Sequence, residues 1–275
     1  MSIHETAIVE EGAQIGSNVT IEPYAVIKKD VILKDNVTIK SHAYIDGHTT
    51  VGEDSIIYPF ASIGAKTQDR KYKGETTYVN IGARCEIREY VTVNSSCGEE
   101  TSVNIGDDCL IMAYCHVAHH CEIGNHVIMA NAAMLAGHVT IEDYANIGGM
   151  TAVHQFCRIG AHAMVGGQSG IVRDVPPYTI GFGSRLYRIG GLNLVGLRRR
   201  KFPREDIQAL LQAYKITYRS GLSINEALEK IENELEPSPA IVHWLQFARS
   251  SKRGLSGLGL EETSPHELAE ATKEA

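Results

Sequence analysis

An aliphatic or Met side chain returns every six residues along most of this chain. From Ile3 the series runs without a miss through Val9, Ile15, Ile21, Ile27, Leu33, Ile39, Ile45, Val51 and Ile57 to Ile63. It lapses, returns at Ile81, Ile87 and Val93, lapses again, and then holds from Ile105 to Ile171. Neither a 3.6-residue helix nor the alternation of an ordinary strand generates a period of six. The position four beyond each of these is small or β-branched, as at Val19, Ala25, Val31, Ala43, Ser55, Cys85, Cys109, Ala133 and Ala145. The residues between are rich in Gly, Asp and Asn, which tolerate the left-handed backbone of a tight corner. One large and one small inward residue per hexad, with three hexads as the sides of each turn, predicts an eighteen-residue triangular coil. The fold class expected is all-β, a left-handed parallel β-helix whose coils pair at about 4.8 Å per rung.

The two lapses predict loops ejected from the coil near residues 64–80 and 94–104. The first is polar and basic, Gly64-Ala-Lys-Thr-Gln-Asp-Arg-Lys-Tyr-Lys-Gly-Glu75. Long loops on a rigid scaffold more often carry function than structure. Pro176-Pro177 is expected to end the coil. The β-helix is therefore assigned to residues 1–190 and a C-terminal α-helical domain to 191–275. There Ile207, Leu210, Leu211, Tyr214 and Ile216 line an apolar helical stripe. Ser223 to Glu226 reads as a capping box, and Ser238-Pro239 as an N-cap with a first-turn proline. The Gly254–Gly259 stretch and the acidic tail behind it are expected to be loose. All six cysteines, Cys85, Cys97, Cys109, Cys115, Cys121 and Cys157, fall on the small inward position. Free Cys serves there as a small hydrophobe, and no clustered spacing suggests a disulfide or a zinc site.

Charge narrows the function classes. Lys and Arg number 26 against 33 Asp and Glu, a net −7, which argues against a nucleic-acid partner. The tail alone holds Glu261, Glu262, Glu267, Glu270 and Glu274 against Lys273. Against that background Arg198-Arg-Arg-Lys201 and Arg204 form a basic patch, read as a helix start facing a specific anionic partner. The N-terminus has no signal-peptide pattern, and no stretch has the 18 apolar residues of a membrane span. A cytoplasmic protein without an integral membrane segment is expected.

Coil arithmetic locates the chemistry. Val117, Leu135 and Val153 are 18 apart and must stack. Beside them lie His116, His119 and His120 on one rung, His138 on the next, and His154 with Gln155 on the third. Three rungs span only about 10 Å, so these imidazoles share one strip. His4, His42, His48, His126 and His162 stand alone and read as surface residues. Three interpretations of the strip compete. Three imidazoles could hold zinc, as in β-helix carbonic anhydrases. One His could act as general base on a sugar hydroxyl while its neighbours bind substrate. The solenoid could instead be purely structural. The basic loop and Arg-rich segment suit a phosphate-bearing substrate better than bicarbonate.

The chain resembles the UDP-N-acetylglucosamine 3-O-acyltransferases, which begin lipid A synthesis, from Thr6 to about Arg253. The motifs that carry the resemblance are Gln68-Asp-Arg-Lys-Tyr-Lys-Gly-Glu75, His116-Val-Ala-His119, Leu135-Ala-Gly-His138 and Ile147-Gly-Gly-Met-Thr-Ala-Val-His-Gln-Phe156. Arg173-Asp-Val-Pro-Pro-Tyr178 and Gly196-Leu-Arg-Arg-Arg200 complete the set. The resemblance implies a homotrimer that moves a (3-hydroxy)acyl chain from acyl carrier protein to the sugar 3-hydroxyl. The donor substrate is then the carrier's phosphopantetheine thioester, with no cofactor and no metal. It implies His119 as general base and the Gly137 N–H as oxyanion donor. Gln68, Asp69, Lys71, His116, His138, His154 and Gln155 would position the sugar and diphosphate. Gly167 would face the acyl chain, and Asn193, Arg199 and Arg200 would meet the nucleotide, the phosphates or the carrier. Many relatives have His-Arg in place of Asn94-Ser95, Glu in place of Val195, an acidic residue in place of His120, and a length-limiting His in place of Arg185. The nearest rival is an N-acyltransferase acting on a 2-amino or 3-amino UDP-sugar. The enzyme of that kind acting later in the pathway normally carries an N-terminal uridine-binding domain, whereas repeats here begin by Ile3.

Overall fold

The computed structural model describes residues 1–184 and 186–258; Arg185, Gly259 and the acidic tail lie outside the described residues. Strands mostly two residues long alternate among three sheets of 11, 9 and 8 strands, parallel throughout except for one terminal pairing. Register follows the repeat: Ile21 pairs with Ile39, Ile27 with Ile45 and Leu33 with Val51, each one full turn of three hexads further on. The chain is a left-handed parallel β-helix. Parallel crossovers are otherwise almost always right-handed because twisted strands dictate it. Strands of two residues accumulate too little twist to impose that choice.

The inward residues fill the prism. Ile21 through Val165 on the large series and Val19 through Ala163 on the small series are nearly all fully buried. Ile3 stays 41% exposed because no coil lies beneath it. Five of the cysteines are buried in this core, but Cys97 is not. Although Cys97 falls in phase, the second insertion carries it out of the coil, so the expectation that all six point inward is corrected.

Both insertions leave the same corner. Ile57 pairs with Ile87, where an unbroken repeat would bring position 75, so the first insertion adds two hexads. Ile87 in turn pairs with Ile111 in place of position 105, so the second adds one hexad. Strands extend to Ala65 and resume at Thr77, then extend to Asn94 and resume at Thr101. The ejected segments are therefore shorter than the phase lapses suggest, because their flanks lengthen existing rungs. Both lie between a strand of the 9-stranded sheet and one of the 8-stranded sheet.

Corners are not confined to Gly, Asp and Asn. Tyr24, His42, Phe60, Tyr90 and Tyr114 all take positive φ and stack face to face, with centroids 4.9–5.1 Å apart. Left-handed backbone costs a non-Gly residue about 1–2 kcal/mol, and each aromatic pair returns about 0.5–1.5 kcal/mol at the rung spacing. His162 belongs to such a ladder. It stacks on Tyr144 and Tyr178, and burial pushes its pKa down to about 4, so it is no simple surface residue.

Pro176-Pro177 turns a corner instead of ending the coil. Val175 bridges Ile159 in parallel, and Thr179–Phe182 pairs with Met164–Val165 before Arg188–Leu192 folds back antiparallel. The last strand thus crosses the domain boundary expected at residue 190. Four helices follow among the described residues: α1 (Leu194–Arg199), α2 (Arg204–Arg219), α3 (Ile224–Glu234) and α4 (Pro239–Arg249). The capping box on α3 and the Ser238 cap on α4 are present. Arg198 and Arg199 lie in the last turn of α1, where the dipole favours cations, while Arg204 opens α2. Gly254–Leu258 is packed, contrary to expectation: Leu255 and Ser256 are buried, and the Ser256 N–H donates to the Asp174 carbonyl at 2.7 Å. The helical domain locks onto the coil through His243, whose Nε2 lies 2.9 Å from Glu142 while Tyr178 contacts its Nδ1 at 2.9 Å.

Candidate active site

The corner that ejects both loops also carries the histidines. Val117, Leu135 and Val153 pair in successive rungs of the 9-stranded sheet, so His116 lies on a strand and His119, His138, His154 and Gln155 follow at one corner. The first insertion leaves two rungs away and folds along this corner. It brings Asp69 Oδ2 to 3.7 Å from His119 Nε2. Ser95 ties the insertions together, its hydroxyl accepting the Thr67 N–H at 3.1 Å and its own N–H donating to the Ala65 carbonyl at 2.8 Å. Both Asn94 and Ser95 are buried and hold the loop base. Asp69 is set by its own turn: it accepts the Lys71 N–H at 2.8 Å. That bond holds its carboxyl below the usual carboxylate range, against a smaller opposing effect of burial.

His119 is the hub. Its Nδ1 lies 2.9 Å from Nδ1 of His120, and its ring meets the His138 ring edge-on at 5.2 Å. His120 takes φ +57°, which turns its side chain out of strand alternation toward its neighbour. His138 occupies the same corner position one rung on, at φ +60°, and stacks between His120 and Phe156 at 4.1 and 4.6 Å. Burial first, then the neighbouring imidazole charges, lowers the pKa values of His120 and His138. Burial alone lowers that of His116, whose Nδ1 lies 2.7 Å from the Thr92 hydroxyl. His154 Nδ1 donates to the Gln155 carbonyl at 3.1 Å. The His119 imidazole lies directly against Gly137, leaving no room for a Cβ there. No acceptor among the described residues reaches the Gly137 N–H, whereas at other corners a side-chain oxygen takes the equivalent bond, as Asp35 does from Ser17. The elements of base catalysis at a carbonyl are thus adjacent: a buttressed imidazole, a free N–H and a carboxylate.

Sequence positions alone did not anticipate Thr92, Ser95 or Phe156. For Thr92 and Ser95 the signal was the pairing of Val93 with Val117, hidden by the second insertion, whereas Phe156 follows His138 by one unbroken turn and could have been found by the same count. Other expected site residues lie elsewhere on the prism. Exposed Gly167 sits at the corner between the 11- and 9-stranded sheets. Asn193 caps α1, accepting the Gly196 N–H at 3.0 Å and donating to the His162 carbonyl at 2.9 Å. The Arg200 guanidinium lies 3.9 Å over the Tyr144 ring at the third corner, with exposed Arg199 beside it. Gln68 and Lys71 are exposed on the loop that carries Asp69.

Comparison with known proteins decides the family. A curated acyl-[acyl-carrier-protein]–UDP-N-acetylglucosamine O-acyltransferase of Chlamydia caviae is 57% identical over 255 residues, 92% of this chain and 91% of its own. The chain belongs to the UDP-N-acetylglucosamine O-acyltransferase family. The member from Janthinobacterium is 45% identical over 258 residues, 92% of this chain and 98% of its own. The crystal structure of the family member from Bacteroides fragilis superposes with a TM-score of 0.89 at 38% identity, covering 92% of this chain and 99% of the other. The Francisella novicida enzyme gives a TM-score of 0.90 at 34% identity, covering 94% and 99%. Family models agree: a bacterial transferase hexapeptide model matches residues 12–47 and 102–137, and the UDP N-acetylglucosamine O-acyltransferase domain 2 model matches 174–256. The family's second domain thus begins within the last coil and takes in all four helices.

Proposed function

We propose that this chain transfers a (3-hydroxy)acyl group from acyl carrier protein to the 3-hydroxyl of UDP-N-acetylglucosamine, the first step of lipid A synthesis, with His119 as general base. The neutral His120 accepts the His119 Nδ1–H, which fixes the tautomer and leaves Nε2 with the lone pair. Nε2 takes the proton of the sugar hydroxyl as its oxygen attacks the thioester carbonyl. The Gly137 N–H stabilises the oxyanion. Collapse expels the pantetheine thiolate, which recovers the proton from His119, giving an ester and the free carrier thiol. Asp69, 3.7 Å from Nε2, stands where it would accept a bond from a second sugar hydroxyl. Gln68, Lys71, His116, His138, His154 and Gln155 would position the sugar and diphosphate. No cofactor enters this scheme, because the carrier's own thioester supplies the activated acyl group.

The observation that carries the proposal is the His119 ring, held by His120 at Nδ1 and against Gly137, with Nε2 directed at Asp69. The spread of the remaining site residues over the other two corners supports a homotrimer. One copy would bring Gly167 or the Arg199–Arg200 pair against the histidine corner of its neighbour. The exposed arginines suit an acidic carrier protein. No helix among the described residues is long and apolar enough to cross a membrane, which is consistent with a cytoplasmic site of action. The deciding experiment incubates the purified protein with UDP-N-acetylglucosamine and acyl carrier proteins of graded chain length, read by mass spectrometry. A product one acyl ester heavier than the sugar nucleotide is expected with at least one chain length. Amide formation only on amino sugars, or no product, would overturn the proposal.

A further inference from the structure

We propose that His119, His120 and His138 bind a single transition-metal ion of the zinc class, and that occupancy silences the base. The silencing rests on the function proposed above; the binding does not. One nitrogen from each ring lies within 4.8 Å of the others. Consecutive residues on a strand point to opposite faces, but the left-handed backbone of His120 turns its ring onto that of His119. Their Nδ1 atoms are 2.9 Å apart. Tetrahedral zinc with Zn–N bonds near 2.0–2.1 Å keeps its ligand nitrogens about 3.3 Å apart. A few tenths of an ångström of movement would set the His119 and His120 nitrogens at that spacing around an ion, and the His138 ring, now stacked on His120, must turn to bring its own nitrogen in from within 4.8 Å. His138 supplies the third nitrogen from the next rung, so the site lies within one chain.

The donor set is all imidazole, which suits zinc, copper, nickel and cobalt and not magnesium or calcium. Asp69 completes the arrangement. With the ion on Nδ1, the His119 proton must reside on Nε2, facing the carboxylate 3.7 Å away. A carboxylate behind a metal-bound imidazole is a recurrent supporting contact. That same proton explains the silencing, since an Nε2 already protonated cannot accept one from a sugar hydroxyl.

The test uses the full chain, stripped with chelator and titrated with cobalt(II), whose visible bands report tetrahedral coordination without reference to turnover. The expected result is one cobalt per chain, displaced by zinc, with acyl transfer falling in step with occupancy and returning on addition of chelator. His120→Gln and His138→Gln should each weaken binding more than about 100-fold, beyond the loss of an outer-shell partner. His126→Gln, at another corner, should bind as the parent does, and circular dichroism shows whether each variant is folded. Absence of a saturable one-to-one cobalt spectrum, or unchanged affinity in both folded ligand variants, would overturn the site. Full acyl transfer at full occupancy would overturn the silencing. A protein that binds cobalt through these three residues but transfers no acyl group under any condition would support the site and refute the proposed function.

Discussion

Replacing Gly137 by Ala places a methyl group where the His119 imidazole now rests. The farthest of the three ring atoms it would meet, Nδ1, lies 2.8 Å from the new Cβ position, and the other two are closer. Ordinary non-bonded contact requires about 3.5–4.0 Å, so the ring must retreat by about 1 Å or more. The obstacle is a side chain, and Gly137 does not hold positive φ, so the backbone accepts Ala without strain. The change should therefore leave the fold intact and misplace the base. A displacement of about 1 Å costs roughly 100-fold in rate, equivalent to about 2.7 kcal/mol of barrier. The loss should fall on kcat with KM little changed, because sugar contacts from the Asp69 loop remain. Steady-state kinetics with acyl carrier protein thioester, alongside a thermal melt, measures both. Gly148→Ala provides the contrast: its Cβ would meet the Gly166 backbone at 2.6 Å, which cannot swing away, so stability should fall by about 1–3 kcal/mol. A Gly137→Ala enzyme with wild-type kcat would refute the placement of His119 over that glycine as the catalytic arrangement.

His119→Ala should lower turnover at least about 100-fold while leaving the melting curve intact; near-normal turnover would remove it as the base. His120→Ala should cost kcat by about tenfold, the scale on which a supporting partner of an imidazole acts. His120→Asp, which restores an acceptor for the His119 Nδ1–H, should recover most of it; failure of Asp to rescue would mean that His120 does not orient the base. Glu142→Gln should remove part of the acid sensitivity of folding. Burial pushes the Glu142 carboxyl up, but His243, the Ala161 N–H and Arg158 together bring it below its ordinary value of 4.5. A folded pKa below the unfolded one contributes stability that is present above about pH 4.5 and lost as pH falls through the folded value. Denaturant titrations across pH 3–6 should show a shallower decline in the variant than in the parent. Thr92→Val keeps the shape but leaves His116 Nδ1 without its partner, and should cost about 1–3 kcal/mol in urea denaturation.

The repeat made most of the fold legible, because each inward position obeys one local rule that no distant contact overrides. The same rule misplaced Cys97, which keeps the phase but belongs to an insertion, since periodicity records spacing and not whether the backbone stays on the prism. It also hid the aromatic corners. Left-handed φ at Tyr24 or His138 looks unfavourable one residue at a time and becomes acceptable only when the next rung supplies a stacking partner. The end of the coil was misjudged for a related reason: proline lacks a donor, but a corner needs none there, so Pro176-Pro177 bends the chain without breaking its sheets.

The candidate site was legible in a narrower sense. Counting by full turns placed His119 beside His138, because no insertion separates them. It could not place Asp69, Thr92 or Ser95, since those positions depend on two hexads and one hexad of inserted chain whose path the repeat does not encode. Yet these insertions determine the chemistry. A regular β-helix presents three equivalent corners, and an imidazole on any of them would stand in open solvent. Ejecting both loops from one corner, the first two rungs and the second one rung from the His116 rung, gives His119 a wall and a carboxylate. The asymmetry follows from where the repeat breaks, so the residues that interrupt the period, and not those that obey it, select which of three similar edges becomes a site.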